Sequence, residues 1–489
     1  MRNHNVTSHL HVFTTSVLLL ALLGGTPAKD GKMPITTSSQ AALKFYLDGR
    51  DLTDKLQNQE SIQFFEKAVA ADENFALGYL NLSFVVPSAK GFFENFNKSV
   101  ALVDKVSEGE RLWIMGVLAA VNGFPLEQRE YYKKLIKAYP NDERAHNLLG
   151  GNYFGQQEWY EAIEQYNIAT KIAPDFSQPY NQLGYAYRFL AKYDDAEKAF
   201  KKYTKLIPND PNPYDSYAEL LMKISKYEES IEQYKKALSL NPNFVASHIG
   251  IATNYNFMGK HEDARKQLQK LHETARNDGE RRAAYFAMAV SYIDEGNMEK
   301  ALEEMNKQYV SNKKINDAAA MSGSLIVIGN ILFETGRFDE ALANYEAALK
   351  TVVKSDLSEE VKDNNRRGNL FNVARVMFKK GDIAGAKAKA KEFHEQVKAT
   401  NNPNQIRLAH QLAGMIALEE QEYDQAIEEF QQANQQNPYN LFRMALAYKG
   451  NGDTEKAQEF FARAANFNAL NNPNQAYIRT KAQKMLKKM

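Results

Sequence analysis

The chain has 489 residues, 61 Lys and Arg against 60 Asp and Glu, and no cysteine. At about 150 residues per domain this is material for roughly three domains. A net charge of +1 argues against a dedicated nucleic-acid binder, which carries a marked basic excess. The missing thiols exclude disulfides, Cys-ligated zinc, iron–sulfur clusters, thiol nucleophiles and a lipidated N-terminal cysteine.

The first element is N-terminal. Residues 1–11 are polar with Arg2 as the only charge, residues 12–23 are apolar, and Gly24, Gly25, Thr26, Pro27 and Ala28 break the run. That order is the pattern of an export signal, with cleavage expected after Ala28. The apolar stretch is short for a membrane span of about 20 residues, so an uncleaved anchor is the lesser alternative. The expected location is periplasmic or secreted. Removing residues 1–28 takes away one basic residue and no acid, 61 − 1 = 60, and leaves a neutral chain.

A 34-residue period fills the rest. Residues 143–176, 177–210, 211–244 and 245–278 align without a gap, and further starts fall near 42, 76, 109, 282, 322, 367, 407 and 438, about twelve units in all. The eighth position is small in every unit: Gly49, Ser83, Gly116, Gly150, Gly184, Ala218, Ala252, Ala289, Gly329, Ala374, Gly414 and Ala445. The twentieth is Ala or Ser in ten of twelve, among them Ala162, Ala196, Ala264, Ala341 and Ala426; Asn95 and Gln128 are the exceptions. Small residues let two helices cross closely, near the 8–10 Å of packed pairs, and bulky residues such as Tyr180, Leu183, Tyr187 and Phe200 fill the space around the crossing. Their spacing of three and four puts them on one helical face. Pro140, Pro174, Pro208, Pro242 and Pro438 are expected to stop second helices. Gly259, Gly296, Gly336, Gly381 and Gly452 are expected to end first helices in a left-handed conformation. Acidic pairs such as Asp194–Asp195 and Asp339–Glu340 suit the first turn of a second helix.

This pattern resembles the tetratricopeptide repeat, with its bulky fourth and eleventh, small eighth and twentieth and aromatic twenty-fourth positions and its late proline. The resemblance implies an all-α, right-handed superhelix of about twelve helix–turn–helix units. The expected organisation is a signal at 1–28, an N-terminal array at 36–281, a C-terminal array of longer units at 282–475, and a capping helix at 476–489. The seam is placed near Arg276–Arg282, where Arg276 stands in place of the proline and the following units lengthen. A terminal helix is what the exposed end of a solenoid requires. NNPNQ occurs twice, at 401–405 and 471–475, each time before a helix.

Little here carries chemistry. His146, His248 and His410 occupy the bulky fourth position and are expected to pack; His261, His272 and His394 form no i,i+4 pair, and H-E-x-x-H is absent. Gly150–Gly151 lacks the GK[ST] of a phosphate loop, no G-x-S-x-G is present, and the carboxylate pairs are explained by the helix dipole. No enzyme activity, cofactor or metal is therefore expected. The basic tail (Arg479, Lys481, Lys484, Lys487, Lys488) reads as the solvated face of the capping helix, with contact to an anionic membrane surface as the alternative.

In the family that the chain resembles, first helices line a concave groove. Its usual ligand-facing positions carry here Trp113 and Val117, then Asn147 and Phe154, then Asn181, Tyr185, Arg188 and Phe189, then Asp215, Glu219 and Lys223. Asn, Asn and Asp at the fifth position of consecutive units form a polar ladder, and amide side chains can bond both N–H and C=O of an extended peptide. The plain alternative is that these residues contact only the neighbouring repeat. The Lys, Arg and Asn set that captures C-terminal carboxylates is not in register. Further on the groove turns apolar, with Phe286, Ile326, Phe333, Phe371, Phe378 and Phe442, which suggests either helix-in-groove binding or simply closer packing of longer helices. The expected function is an exported, non-catalytic scaffold that binds a protein or peptide on its concave face. Alternatives are carbohydrate or small-ligand capture at the envelope and a regulatory sensor subunit of a signalling or transport system. The last rests on SEGERLWIMGVLAAVNGFP with LIKAYPND, which looks like repeat regions attached to bacterial signalling enzymes.

Overall fold

The computed structural model describes residues 31–489. The expected export signal and the cut after Ala28 lie outside the described residues. The chain forms α1 (Gln40–Thr53) and α2 (Asn58–Ala71), α3 (Ala76–Val85) and α4 (Ala89–Ala101), α5 (Glu108–Val121) and α6 (Pro125–Ala138), α7 (Glu143–Gly155) and α8 (Trp159–Ile172), α9 (Gln178–Phe189) and α10 (Tyr193–Leu206), α11 (Asn212–Lys223) and α12 (Tyr227–Leu240), α13 (Val245–Phe257) and α14 (His261–Thr274), α15 (Asp278–Glu295) and α16 (Met298–Lys314), α17 (Ala318–Glu334) and α18 (Phe338–Val353), α19 (Glu359–Lys379) and α20 (Ile383–Thr400), α21 (Pro403–Glu419) and α22 (Tyr423–Gln432), α23 (Pro438–Gly450) and α24 (Thr454–Ala465), and a terminal α25 (Pro473–Leu486). Among the described residues, twelve helix pairs and a terminal helix thus make an all-α solenoid. The longer units add residues at both ends: α15, α17 and α19 open at 278, 318 and 359, and their partners run to 17, 16 and 18 residues against 14 in regular units. Among the described residues no helix is long and apolar enough to cross a membrane.

The eighth position packs against an aromatic ring sixteen residues later. Gly49 meets Phe65, Gly116 meets Tyr132, Gly150 meets Tyr166, Gly184 meets Phe200, Gly329 meets Tyr345 and Gly414 meets Phe430. Ala218 and Ala252 at the eighth position, and Ala162, Ala196, Ala264, Ala341 and Ala426 at the twentieth, are buried. Gly150 and its neighbour give a clean test. A Cβ on Gly150 would sit 2.5 Å from the Tyr166 ring, whereas one on Gly151 meets nothing within 4 Å. Gly150→Ala is expected to destabilise by about 1–3 kcal/mol through overpacking, and Gly151→Ala to stabilise by about 0.5–1 kcal/mol through helix propensity. Thermal melts of the two variants read opposite signs; shifts of the same sign would refute the packing.

The turn inside every pair but α3–α4 has one left-handed residue. Gly259, Gly296, Gly336, Gly381 and Gly452 have positive φ as expected, but so do Leu56, Gln157, Ala191, Ser225 and Gln421, at 56–65°. The turn geometry is imposed by the packed helices on either side, so glycine is not its only marker. The prolines 140, 174, 208 and 242 follow the ends of α6, α8, α10 and α12. Each proline carbonyl accepts a hydrogen bond from the side chain six residues on, at the fourth position of the next unit: His146 Nε2 at 3.2 Å, Tyr180 Oη at 3.2 Å, Tyr214 Oη at 2.9 Å and His248 Nε2 at 2.9 Å. Pro438 departs from the expectation. It opens α23 at the first helical turn, where its missing N–H costs nothing.

Successive turns of the superhelix touch. The α1–α2 turn meets the junctions of units further along: Asp54 pairs with Arg144, Gln57 with Asp210, Gln59 with Asn277 and Glu60 with Arg276. In the second unit the Pro87 carbonyl accepts from Arg282, and Lys90 N–H donates to Asp317. The same docking continues with Gly123 O accepting from Asn402 at 2.7 Å, Gln157 donating to Asn434 at 3.0 Å and Ser225 Oγ accepting from Asn468 at 2.9 Å. The last helix does more than cover the end of the stack. α25 packs on α24 and α23 and also reaches back to α15, joining the core of units eight to twelve through Ala476, Tyr477, Ile478 and Ala482. One of the basic-tail residues is therefore not on a solvated face: Arg479 is buried against Asp294, while Lys481 bonds Glu334 and stays exposed. Lys484, Lys487 and Lys488 are exposed.

Candidate functional site

The residues singled out from the sequence lie on α5, α7, α9 and α11, the first helices of four consecutive pairs. Trp113 is half-buried among Leu112, Leu135 and Tyr139, its indole Nε1 without a hydrogen-bond partner. Asn147 donates to Gln178 at 2.9 Å. Phe154 makes an edge contact with Phe189, which stacks on Trp159 with ring centres 4.5 Å apart. Tyr185 Oη donates to Ser216 at 3.4 Å, Arg188 pairs with Glu219 at 2.7 Å, and Asp215 accepts from Ser247 Oγ at 2.7 Å. Each of these bonds joins one unit to the next, so part of the ladder ties repeats together. The remainder does not. Asn181 is 4% exposed, and its Oδ1 has no partner; the Nε of Arg188 is likewise buried and unpaired.

Phe154, Asn181, Tyr185, Arg188, Asp215, Glu219 and Lys223 line one cavity of about 630 Å³, and Trp113 and Asn147 lie outside it. Its charges are set by desolvation. Burial pushes the Asp215 carboxyl up to about 8, and the nearby Glu219 carboxylate adds to the rise. Burial brings the Lys223 ammonium down to about 8, helped by the Arg188 charge. Burial also holds the Tyr185 hydroxyl well above its ordinary range.

One wall of this cavity had no sequence signal as a functional element. Phe467, Asn468, Ala469, Leu470 and Asn472, in the link between α24 and α25, close the groove opposite α9 and α11. Lys223 Nζ donates to the Phe467 carbonyl and stands 3.9 Å over the Phe467 ring. The available hint was the second NNPNQ, whose Asn472 caps α25. Next to it a cavity of about 920 Å³ has an apolar part lined by Phe84, Phe92, Phe244, Ile249 and Leu470 and a polar rim that includes Glu60, Arg276 and Glu280.

The later groove follows the second of its two readings, closer packing of longer helices. Phe333, Phe371 and Phe378 are buried, and Phe286, Ile326 and Phe442 pack against the core that contains α25. Arg375 lies over the Phe333 and Phe371 rings at 4.3 and 5.3 Å. Longer helices and α25 consume that apolar surface. The histidines are held by local bonds: His261 to Asp294 at 2.8 Å, His272 to Tyr285 at 2.9 Å and His410 to Glu429 at 2.8 Å. No group of three His, Asp or Glu among the described residues could hold a metal ion.

Tetratricopeptide repeat family profiles match residues 177–210, 212–244, 322–351 and 409–440, and a second profile of the same repeat matches 439–467. No curated protein matches. Solved structures match locally. MamA shares 23% identity over 32% of this chain and 91% of its own, with a TM-score of 0.28. A tetratricopeptide repeat protein from Parabacteroides merdae shares 17% over 55% of this chain and 92% of its own, at 0.35. YrrB, described as a tetratricopeptide repeat protein with an unusual peptide-binding site, shares 19% over 38% of this chain and 92% of its own, at 0.26. The chain is an all-helical solenoid of tetratricopeptide-like pairs, five of whose segments carry the repeat's own signature.

Proposed function

We propose that the chain is a non-catalytic scaffold that binds an extended segment of a protein partner on the concave face of α9 and α11. The observation that carries this reading is a pair of buried, unpaired polar atoms on two side chains that line one cavity, Asn181 Oδ1 and Arg188 Nε. A buried polar atom left unpaired costs about 1–3 kcal/mol, and a peptide N–H and C=O are the complementary donor and acceptor. Rings of Phe154, Tyr185 and Phe189 stand beside them as anchoring area. The test compares the immobilised chain with its Asn181→Ala/Tyr185→Ala/Arg188→Ala variant for capture of proteins from the native envelope. A partner retained by the first and lost by the variant, with helicity unchanged by circular dichroism, supports the reading; equal retention refutes this face as the site.

A second reading is favoured by cavity size. A volume of about 630 Å³ lies within the range of small-molecule pockets, so a carbohydrate or another small polar ligand is the alternative occupant. Export to the periplasm or outside is also proposed, and N-terminal sequencing of the mature protein at Lys29 tests it.

A further inference from the structure

The link between α24 and α25 does not merely pass near the groove; it is held there as a ligand is held. Two of its residues, Phe467 and Asn468, are held by the end of the sixth unit's first helix and the turn that follows it. The Phe467 ring lies under the Lys223 ammonium at 3.9 Å, and its carbonyl accepts from the same nitrogen. Asn468 is 2% exposed and takes a left-handed backbone with φ of 50°. Its Nδ2 donates to Ser225 Oγ at 2.9 Å and to the Lys223 carbonyl at 3.3 Å, while its Oδ1 accepts from Tyr227 Oη at 3.2 Å. Leu470 lines the apolar part of the adjoining cavity with Phe244. Lys223 has no carboxylate partner among the described residues and spends its charge on this segment, so the burial of that ammonium is explained only by what the segment supplies.

We propose that residues 467–470 are a tethered occupant of the groove, and that the external partner is an extended protein segment of the same kind: an aromatic residue, then asparagine, then an apolar residue two positions on. This rests on the groove reading above and names its ligand class. The contacts fix the class. The ammonium takes an aromatic face. The Ser225, Tyr227 and Lys223 carbonyl triad needs one side chain that both donates and accepts, which is an amide. The apolar part of the adjoining cavity takes the third residue. Tethering places the occupant at an effective concentration of about millimolar or above, so a partner of comparable intrinsic affinity competes poorly until the link moves.

The probe is the blocked peptide Ala-Ala-Asn-Phe-Asn-Ala-Leu-Asn-Asn-Pro-Asn, which copies residues 464–474. Calorimetry is run with the full chain, with its Phe467→Ala/Asn468→Ala variant, and with that variant carrying Lys223→Met. The double variant is expected to bind the peptide at least about tenfold more tightly than the unaltered chain does. A peptide with Phe replaced by Ala, and the Lys223→Met background, should each lose about tenfold or more, a cation–π contact being worth up to about 2 kcal/mol when desolvated. No binding by a folded double variant, or equal binding of the Phe-to-Ala peptide, overturns the proposal. Should the double variant misfold, hydrogen exchange on the unaltered chain replaces it. Excess peptide is expected to speed exchange at 466–472, and unchanged rates overturn the proposal. A partner captured through Asn181, Tyr185 and Arg188 while the peptide fails leaves the groove reading standing and removes only the internal occupant.

Discussion

Replacing Arg479 with methionine is expected to destabilise the C-terminal half by up to about 3–5 kcal/mol, the cost of breaking a buried ion pair, with Asp294 keeping only its bond to His261. Arg479 and Asp294 are each 8% exposed. The guanidinium donates to both Asp294 oxygens, with Nε to Oδ1 at 3.0 Å, and to the carbonyls of Asn256 and Phe257 at 2.9 and 3.3 Å. Those carbonyls end α13, where a cation is favoured by the helix dipole. One side chain thus fastens α25 to α13 and α15, more than 180 residues earlier. Repeat arrays unfold piecewise, so a single global free energy is not the right reading. The loss should appear as early melting and faster hydrogen exchange in α25 and α15, with α7 to α10 unaffected. Arg479→Met combined with Asp294→Leu should recover much of it, because an apolar pair of similar volume often matches a buried ion pair. Uniform loss along the whole chain, or none, would contradict this account of the lock.

The repeat was legible because it is local. Gly184 and Phe200 lie sixteen residues apart and touch, so one periodicity encodes both the helix and its packing partner. The turns were half legible. Gly259 announces its left-handed φ, while Ala191 adopts the same region at 56° with no marker. The contacts between superhelical turns were not legible, because they depend on curvature summed over about seven units. Asn402 illustrates the difficulty. Its side chain caps α21, as its position before Pro403 suggests, yet its Nδ2 also bonds the Gly123 carbonyl, 279 residues away. Sequence reasoning identifies the cap and has no access to the second bond. The groove residues were legible by type and position. Which of their atoms stayed unpaired was not, since Arg188 finds Glu219 and Asn181 finds nothing for its Oδ1.

Asp215→Asn is expected to change the pH dependence of stability rather than stability alone. Burial raises the folded-state carboxyl to about 8, against about 3.9 in an unfolded chain. The native protein therefore keeps a proton that the unfolded chain releases between pH about 4 and about 8. The stability that this group contributes is complete below about pH 4 and is lost as pH rises through about 8. Asparagine keeps the shape and an acceptor for Ser247 Oγ but cannot ionise. Near pH 4 the variant should melt close to the unaltered chain, and at pH 9 it should be more stable by on the order of 5 kcal/mol. A melting difference that is the same at pH 5, 7 and 9 would show that Asp215 does not hold its proton. The same titration bears on recognition. At neutral pH the acid form of Asp215 can donate a hydrogen bond into the cavity, next to a Lys223 that is still charged. Above pH about 8 Asp215 becomes an anion and Lys223 loses its proton, so the aromatic ring loses its cation. Affinity of the Phe-Asn peptide for the emptied groove should fall between pH 7 and 9, and in the Lys223→Met background that part of the pH dependence should vanish.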